Sequence, residues 1–360
     1  MKILFISFFY EPENRVGAKR ISYWAQNFKD LYPTAQVYVI TSTEEAVSDG
    51  VDKMMVVNSP TISSMGLIKD KGNAWKPAII ETLNNSGIEE ITHVVMSGGP
   101  FMYFGLFKYF KKKFGSKIIL DYRDPFAKNP RFNNSWLKIK LKQFFEKRYN
   151  KAADLVISVN QYCLELLCGY EKEANKFKII PNGFNEKLLP KVLVKKKGIE
   201  KRIVYAGSFY RDRNPQNLVN VIEKIEGWEL HHLGKESNFI NKGNKFVEHG
   251  MKSYLEMMEF ISNCDAALIV TSGAPFESTT KVYDYIAMQI PILIITNGEL
   301  KTGALQGELE NYPVVWAENN SAAIKKAIEK VGSIKMNAFD SSKYSRNRGL
   351  QTLIQLLKHL

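Results

Sequence analysis

Residues 276–291 read FESTTKVYDYIAMQIP, and the apolar run ILIIT follows them directly at 292–296. The stretch begins as a polar loop, continues with the spacing of an amphipathic helix, and ends in a run that is typical of a buried strand. A helix that begins in this loop would point its free backbone N–H groups toward an anion in front of it. The stretch therefore predicts a helix that leads into a buried strand, with acidic and basic side chains at the start of the helix.

The same alternation of short apolar runs and longer amphipathic stretches extends over the rest of the chain. The first half contains the runs KILFISFF, AQVYVITS, HVVMSGG, KIILDYRD, LVISVN and KIIPNG. The second half contains RIVYAGS, ELHHLG, KFVEHG, AALIVT, PILIITN and VVWAEN, separated by helical patterns such as NPQNLVNVIEKI and SYLEMMEFISNC. Because this rhythm is typical of βαβ units, we predict an α/β fold with two successive doubly wound parallel sheets.

The domain boundaries are predicted from a change of composition in the middle of the chain. The basic, proline-containing segment at 186–201 has no core pattern, so we interpret it as a linker between domains at 1–185 and 202–342. The final pattern GLQTLIQLLKHL predicts a terminal amphipathic helix within 343–360. Ligands of doubly wound sheets bind beyond the carboxyl ends of the strands, so we expect a binding cleft between the two domains.

Length, charge and cysteine content exclude several classes of protein. The chain has 360 residues, 45% of them hydrophobic, and no apolar run as long as the roughly 18 residues that a membrane span needs. An acidic segment follows the first apolar run where a signal peptide would have small residues, and three unpatterned cysteines suit a reducing cytoplasm. The formal net charge of +13 predicts attraction to nucleic acid, an anionic membrane face or phosphorylated small molecules.

Two loops of the second domain carry candidate binding residues. Gly207 and Ser208 end the strand RIVYAGS, and the cations Arg211 and Arg213 follow; an arginine suits a diphosphate because its fork donates two parallel hydrogen bonds. In the loop FESTTK, hydroxyls and an ammonium are available to a diphosphate from Ser278, Thr279, Thr280 and Lys281. The acids Glu277 and Asp284 could accept hydrogen bonds from sugar and ribose hydroxyls. Asp284 could instead cap or solvate a helix start, and Arg213 could be a solvated loop cation.

The first domain offers weaker signals at the ends of its predicted strands. Gly17 lies in the loop YEPENRVGAKR after the first strand, where it would let the backbone approach a phosphate or an acceptor. Asp124 lies in the run DYRDP after another strand, and it is the acid that we expect nearest to an acceptor hydroxyl. The charges of this run could instead form an Asp–Arg pair that braces a loop.

The chain also lacks several familiar motifs. It has neither a P-loop nor a Gly-x-Gly-x-x-Gly dinucleotide fingerprint, which disfavours nucleotide hydrolysis and hydride transfer. It has no Asp-x-Asp pair, and its five histidines show no ligand spacing. We therefore expect no metal and no cofactor, with Arg213, Lys281 and helix N-termini neutralising a diphosphate.

Taken together, these residues resemble those of a GT-B-fold glycosyltransferase of the family 4 type. That family carries two Glu residues separated by seven others; Asp284 occupies the second position, and Glu277 lies one residue closer to it than in the family. Arg213 occupies the position of a family lysine six residues after the glycine, whereas Ser208 replaces a family arginine; Lys281, with Arg211 second, is our candidate for the missing charge. The run Asp-x-Arg-Asp-Pro resembles that of polysaccharide-assembly members.

The resemblance implies a GT-B architecture with two Rossmann-like domains facing across a cleft and a C-terminal helix that returns to the N-terminal domain. It also implies a metal-independent transferase that retains anomeric configuration, with a nucleotide-diphosphate sugar on the second domain. In this interpretation the catalytic residues are Glu277, Arg213, Lys281 and Asp124. The acceptor, a saccharide that is lipid-linked in surface-polysaccharide assembly, would bind to the first domain.

The basic stretch at 136–148 mixes aromatic and aliphatic residues with five cations. It could lie on an anionic membrane surface, as a peripheral enzyme requires, or be a core-packed helix with a solvated basic face. Nucleic-acid binding is not expected because no reader motif is present. The alternative functions are a GT-B-fold sugar-nucleotide epimerase and a catalytically degenerate polyanion-binding protein.

Overall fold

The computed structural model describes residues 1–13, 15–59, 68–130, 132, 134–190, 200–301 and 303–360. Much of the predicted linker, at 191–199, lies outside the described residues. The chain forms two compact units. Unit 1 comprises Met1–Asn182 and Arg346–Leu360, and unit 2 comprises Gly183–Ser345.

The strands alternate with helices in both units. The strands are β1 (Lys2–Ser7), β2 (Gln36–Thr41), β3 (Lys53–Val56), β4 (His93–Ser97), β5 (Lys117–Tyr122), β6 (Leu155–Ser158), β7 (Phe177–Ile179), β8 (Lys201–Ala206), β9 (Trp228–Leu233), β10 (Phe246–Glu248), β11 (Ala266–Thr271), β12 (Ile292–Thr296) and β13 (Val314–Glu318). The α-helices are α1 (Val16–Leu31), α2 (Lys71–Asn84), α3 (Phe107–Phe114), α4 (Trp136–Ala152), α5 (Gln161–Glu165), α6 (Gln216–Ile222), α7 (Tyr254–Ser262), α8 (Lys281–Ala287), α9 (Gly303–Glu308), α10 (Ser321–Gly332) and α11 (Arg346–Lys358). Short 3-10 turns lie at Met102–Leu106, Ala174–Lys176, Glu186–Leu188 and Ser342–Tyr344.

Unit 1 is built on a seven-stranded parallel sheet with the order β3-β2-β1-β4-β5-β6-β7. Successive residues of β1 supply opposite faces of the sheet: Leu4 packs in one core cluster, and Ile3 and Phe5 pack in the other. The direction of strand order reverses between β1 and β4, so ligand binding is expected beyond the carboxyl ends of these strands.

The terminal helix α11 belongs to unit 1. Its apolar face, which includes Leu350, Leu353 and Leu357, is buried in the same cluster as Phe5 and Trp24. It packs against α1 in the helical layer of this unit, since parallel sheets bury both faces under helices.

Unit 2 is built on a six-stranded parallel sheet with the order β10-β9-β8-β11-β12-β13. Ile203 and Val204 on β8 again face opposite core clusters. Strand order reverses between β8 and β11. The predicted fold class, an α/β chain with two Rossmann-like domains, is therefore confirmed.

One strand was not predicted from the sequence. Strand β3 pairs with β2 at the sheet edge, with Tyr38 opposite Lys53. It is short, and its Lys53 and Val56 are exposed, so its composition gives little of the apolar signal of a buried strand. Among the described residues, no helix combines the length and the apolar character that would let it cross a membrane.

Candidate functional site

The candidate site of unit 2 lies at the carboxyl ends of β8 and β11, the neighbouring strands between which strand order reverses. Gly207 follows β8 directly, and the loop at 272–280 joins β11 to α8. Gly207 has a φ of 120°, which only glycine adopts readily. This edge brings together the predicted residues Arg213, Glu277 and Lys281.

Glu277 and Arg213 form a buried ion pair. The Arg213 Nη2 atom lies 2.7 Å from Glu277 Oε1, and the Glu277 side chain is only 3% exposed. Glu277 Oε2 accepts hydrogen bonds from Thr271 Oγ1 at 2.7 Å, from Ser272 Oγ at 2.7 Å and from the Ser272 backbone N–H at 2.9 Å. The carboxylate is thus held from several directions and fixes the guanidinium beside it.

The Arg213 guanidinium keeps donor capacity toward a ligand. Its Nε is buried and has no hydrogen-bond partner within the described part of the chain, although Asp212 Oδ2 lies 3.8 Å away. This atom is shielded from solvent, but the Arg213 side chain as a whole is 19% exposed, so an anion can reach the guanidinium through its exposed part. Arg213 is therefore oriented by Glu277 and still able to bind an anion.

Lys281 begins α8 and lies against the end of β8. Its Nζ is 4.8 Å from the centre of the Tyr205 ring and 3.4 Å from the Tyr205 hydroxyl. A Cβ at Gly207 would come within 2.6 Å of Lys281 Cε, so the missing side chain of Gly207 leaves the space that Lys281 occupies. Burial first, and then the Arg213 charge, lower the pKa of Lys281 to about 8, against the opposing effect of Asp284 and Glu277. Arg213 and Lys281 thus lie close together in a site that is largely shielded from water.

Asp284 lies one helical turn after Lys281 on α8. Its Oδ1 accepts a hydrogen bond from the Tyr254 hydroxyl at 2.6 Å, and its charge acts on Lys281. The helix cap is Thr280, one residue before Lys281, and not Asp284. Asp284 thus belongs to the same cluster as the two cations, while its predicted contact with ribose stays a prediction.

The remaining predicted residues of unit 2 lie around this cluster. Ser278 donates to the Glu308 carboxylate, at 2.9 Å from Oε1, and the Ser208 carbonyl accepts from the Tyr205 hydroxyl at 2.9 Å. The Thr279 carbonyl accepts from the Val282 N–H at 3.2 Å, in the turn before α8. Arg211 lies apart, with its guanidinium 5.6 Å from the Phe239 ring. Of our two candidates for the missing charge, Lys281 adjoins Arg213.

Several residues of the site were missed by sequence reasoning. Tyr205 lies under the Lys281 ammonium, and Glu308 holds Ser278 from a different element, α9. A Cβ at Gly234, which follows β9, would overlap the Gly207 carbonyl. Only the glycine could have been found in the sequence, because it follows the predicted strand ELHHLG as Gly207 follows its own strand.

In unit 1, Asp121 of the run DYRDP pairs with an arginine from outside the run, Arg20, and not with Arg123. Asp121 accepts from Arg20 at 3.1 Å and from the Ser97 hydroxyl at 2.9 Å, and all three side chains are buried. Arg123 instead donates to the Gly98 carbonyl, and its guanidinium fills the space that a Cβ at Gly17 would need. The absence of a side chain at Gly17 therefore leaves room for the Arg123 guanidinium.

Asp124 lies in a separate feature of unit 1. It is exposed, and it lines a pocket together with Arg15 and Phe101. Within the described ranges, no group of three or more His, Cys, Asp or Glu side chains could hold a metal ion.

Comparison with known proteins finds similarity in structure alone. No protein-family model matches the chain, and no curated protein matches its sequence. Among solved structures, a sucrose-phosphate synthase from Thermosynechococcus elongatus matches with a TM-score of 0.71 and 13% identity, over 100% of this chain and 98% of the other. The lipopolysaccharide outer core galactosyltransferase WaaB matches with a TM-score of 0.63 and 12% identity, over 100% and 99% of the two chains. A UDP-GlcNAc 2-epimerase from Methanocaldococcus jannaschii matches with a TM-score of 0.61 and 11% identity, over 100% of both chains. These similarities place the fold with GT-B proteins over the full length of the chain.

Proposed function

We propose that the chain is a metal-independent, retaining glycosyltransferase that moves a sugar from a nucleotide-diphosphate sugar to a saccharide acceptor. The observation that carries this proposal is the pair of cations, Arg213 and Lys281, at the switch point of the unit 2 sheet. Two fixed positive charges at the carboxyl ends of parallel strands suit a diphosphate. Their placement beside the acids Glu277 and Asp284 adds acceptors for the hydroxyls of a sugar and a ribose.

Each residue of the cluster has a distinct part in this proposal. Arg213 and Lys281 bind the diphosphate, and Asp284 accepts from the ribose hydroxyls. The sequence predicts that Glu277 accepts from the hydroxyls of the donor sugar. Because its oxygens already accept three hydrogen bonds and pair with Arg213, we propose that its main part is to orient that guanidinium.

We propose the reaction that the family resemblance implies, with the charges of this cluster acting on the leaving group. The bond between the anomeric carbon and the diphosphate oxygen breaks, and a new bond forms to the acceptor hydroxyl oxygen on the face that the diphosphate leaves. The acceptor proton moves to an oxygen of the leaving diphosphate, so no separate base is required. Arg213 and Lys281 stabilise the negative charge that develops on the diphosphate, which is the part that a divalent cation plays elsewhere.

For the acceptor we propose a saccharide linked to a lipid, used in surface-polysaccharide assembly at the inner face of the cytoplasmic membrane. Support comes from α4, which carries exposed Trp136, Leu137 and Phe144 beside its lysines. Exposed aromatic and aliphatic side chains next to cations suit an anionic membrane surface. Asp124 is the acid proposed nearest to the acceptor hydroxyl.

A thermal-shift screen with UDP, GDP, dTDP, ADP and CMP, with and without EDTA, tests the donor site. A ligand that binds the folded state raises the melting temperature by mass action. We expect one nucleoside diphosphate to raise it selectively, with no effect of EDTA, and Asp284→Ala to abolish the shift. No shift with any of the five nucleotides would contradict the proposal and favour a degenerate polyanion-binding protein.

A sugar-nucleotide epimerase is the second candidate, because the epimerase from Methanocaldococcus jannaschii matches the chain over its full length. The two functions differ in their need for an acceptor. An epimerase converts the nucleotide sugar with no acceptor present, whereas a transferase releases the nucleoside diphosphate in proportion to the acceptor consumed. Product analysis of the donor alone therefore separates them.

A further inference from the structure

Unit 1 contains a pocket that the proposed donor site does not use. It has a volume of about 840 Å³. Its walls include Phe8, which follows β1, Phe101, which follows β4, and Phe126, which follows β5. The pocket thus opens at the carboxyl edge of the sheet, where strand order reverses between β1 and β4. Ligands bind at this position in doubly wound sheets.

The lining of this pocket combines phenylalanine rings with cations. Five cations line it, and they are Arg15, Lys69, Lys71, Lys138 and Lys142. Three of them lie over rings: Arg15 Cζ is 4.2 Å from the centre of Phe9, Lys71 Nζ is 5.7 Å from Phe8, and Lys142 Nζ is 5.4 Å from Phe126. The positive charges are therefore held at an aromatic surface.

The carboxylates near the pocket neutralise these cations only in part: the charge of Asp70 acts on Lys142, and Arg15 pairs with Glu13 at 3.2 Å. Asp70 is one of two acids in the lining, and it accepts backbone N–H bonds from Gly72 at 2.8 Å, Phe101 at 2.9 Å and Met102 at 3.2 Å. The other acid is the exposed Asp124. Within the described parts of the chain, no carboxylate forms a salt bridge with Lys71 or Lys142. Among the described lining residues, five cations face two acids, and the excess of positive charge remains when the pairing of Arg15 with Glu13 is counted, so an anionic ligand is favoured.

The surroundings of the pocket indicate what the anion is attached to. Phe132 lines the pocket and is 63% exposed, and helix α4 contributes Lys138 and Lys142 to the lining. The same helix exposes Trp136 and Leu137 to 67% and 62%. Exposed apolar side chains thus lie in the pocket lining and on the helix that contributes two of its lysines, which suits a ligand with an apolar chain.

We infer that this pocket binds the phosphate end of a lipid-linked acceptor, with the phosphate at Lys71 and Lys142 and the first apolar units against Phe101, Phe126 and Phe132. This inference rests on the proposed function, because it identifies the acceptor's anchor. A soluble phosphate ester shares the charged part of this chemistry but not the apolar part. Ligands that have only the phosphate or only the apolar chain therefore distinguish a lipid-linked phosphate from a soluble phosphate ester.

Isothermal titration of the full chain with farnesyl phosphate, without any nucleotide, tests the inference. Inorganic phosphate and farnesol are the comparison ligands, each carrying one half of the probe. We expect farnesyl phosphate to bind at least about 10-fold more tightly than either half, since each half loses one set of contacts. Equal binding of farnesol, equal binding of inorganic phosphate, or displacement of the probe by UDP would overturn the inference.

A double variant locates the phosphate. The test variant carries Lys71→Gln and Lys142→Gln, which remove two cations of the pocket. The control variant carries Lys147→Gln and Lys151→Gln, which remove two exposed cations of α4 that do not line the pocket. Loss of charge-assisted hydrogen bonds is expected to weaken binding by about 10- to 100-fold in the first variant only. Equal affinity of the two variants would contradict the assignment.

Two further measurements separate this inference from the donor site. Phe132→Ser, at an exposed position, should weaken the binding of farnesyl phosphate and leave the affinity for inorganic phosphate unchanged. An unchanged affinity for farnesyl phosphate would contradict the placement of the apolar chain.

The shift of melting temperature by the nucleoside diphosphate should be the same in the variant with Lys71→Gln and Lys142→Gln as in the wild type. A nucleotide shift without farnesyl phosphate binding would overturn the inference about unit 1 and leave the proposed donor site intact.

Discussion

At the residue scale, Arg213 combines a structural contact with a guanidinium that is partly exposed. Its Nη2 pairs with the buried Glu277, while its Nε has no hydrogen-bond partner in the described part of the chain. The carboxylate retains bonds from Thr271 and Ser272 if the arginine is removed. Removing the arginine should therefore weaken ligand binding, and it should also lower stability because Glu277 is left as a buried carboxylate without its counter-ion.

Arg213→Ala is expected to weaken the binding of the selected nucleoside diphosphate by about 10- to 100-fold, because a charge-assisted hydrogen bond is lost. Turnover should fall as well, and the melting temperature of the free protein should fall because the buried Glu277 loses its counter-ion. Lys330→Ala, at an exposed position near the end of α10, is the matched control. Nucleotide affinity equal to that of the control would remove Arg213 from the site.

The lowered pKa of Lys281 predicts a pH dependence of nucleotide binding. Burial and the Arg213 charge lower this pKa to about 8, so the free protein loses the ammonium as pH rises from 7 to about 9. Nucleotide affinity should fall over this interval, because the neutral amine of Lys281, unlike its ammonium form, does not attract the diphosphate. Lys281→Met should bind more weakly and show no such fall. Calorimetry at three pH values checks this, and a wild-type affinity constant with pH would contradict the role of Lys281.

At the scale of elements, the loop between β11 and α8 is held by a side chain from α9. Glu308 accepts from the Ser278 hydroxyl at 2.9 Å and from the Tyr283 hydroxyl at 3.1 Å. The carboxyl is buried, and burial raises its pKa to about 7, although the two hydroxyls act in the opposite direction. One titratable group therefore joins α9 to the loop that carries the predicted binding residues.

The stability of the protein should depend on the titration of Glu308. The folded state binds this proton more tightly than the unfolded chain does, so its stabilising effect is complete below the usual glutamate pKa and is lost as pH rises through about 7. Glu308→Gln should reduce the fall in melting temperature between pH 5 and pH 8. The exposed Glu310→Gln is the control. Parallel curves for wild type and Glu308→Gln would show that the group does not titrate in this interval.

At the scale of the whole molecule, the last helix completes the core of the first unit. Leu353 of α11 is fully buried in the cluster that contains Phe5 and Trp24. The core of unit 1 thus depends on residues at both ends of the chain. Unit 1 should consequently be sensitive to changes in a helix that follows unit 2 in sequence.

Leu353→Ala is expected to destabilise unit 1 by about 2–5 kcal/mol, through lost burial and the cavity that remains. Differential scanning calorimetry with and without the nucleoside diphosphate checks this, because the ligand raises only the transition of the unit that binds it. The transition that does not respond to nucleotide should move to lower temperature. Gln355→Ala, at an exposed position of the same helix, should leave it unchanged. A selective fall of the nucleotide-responsive transition would contradict this assignment.

Much of the fold could be predicted because strands of a parallel sheet are apolar on both faces and therefore stand out in sequence. The runs NPQNLVNVIEKI and SYLEMMEFISNC contain α6 and α7, as their periodicity predicts. Strand β3 was missed because it is short and lies at an edge with an exposed lysine. Helix α2 was also missed, and it contains Pro77, which interrupts the usual helical signal.

The sequence by itself determined the α/β class, the two successive sheets and the loops at strand ends where Arg213, Glu277 and Lys281 lie. These features depend on local periodicity and on the position of charges after apolar runs. Only the tertiary structure decided that Glu277 holds Arg213, that Asp121 pairs with Arg20, and that Glu308 reaches Ser278. These pairs join residues that are 30 to 101 positions apart in the sequence. Their contacts depend on how strands are ordered in the sheets, which local patterns in the sequence do not encode.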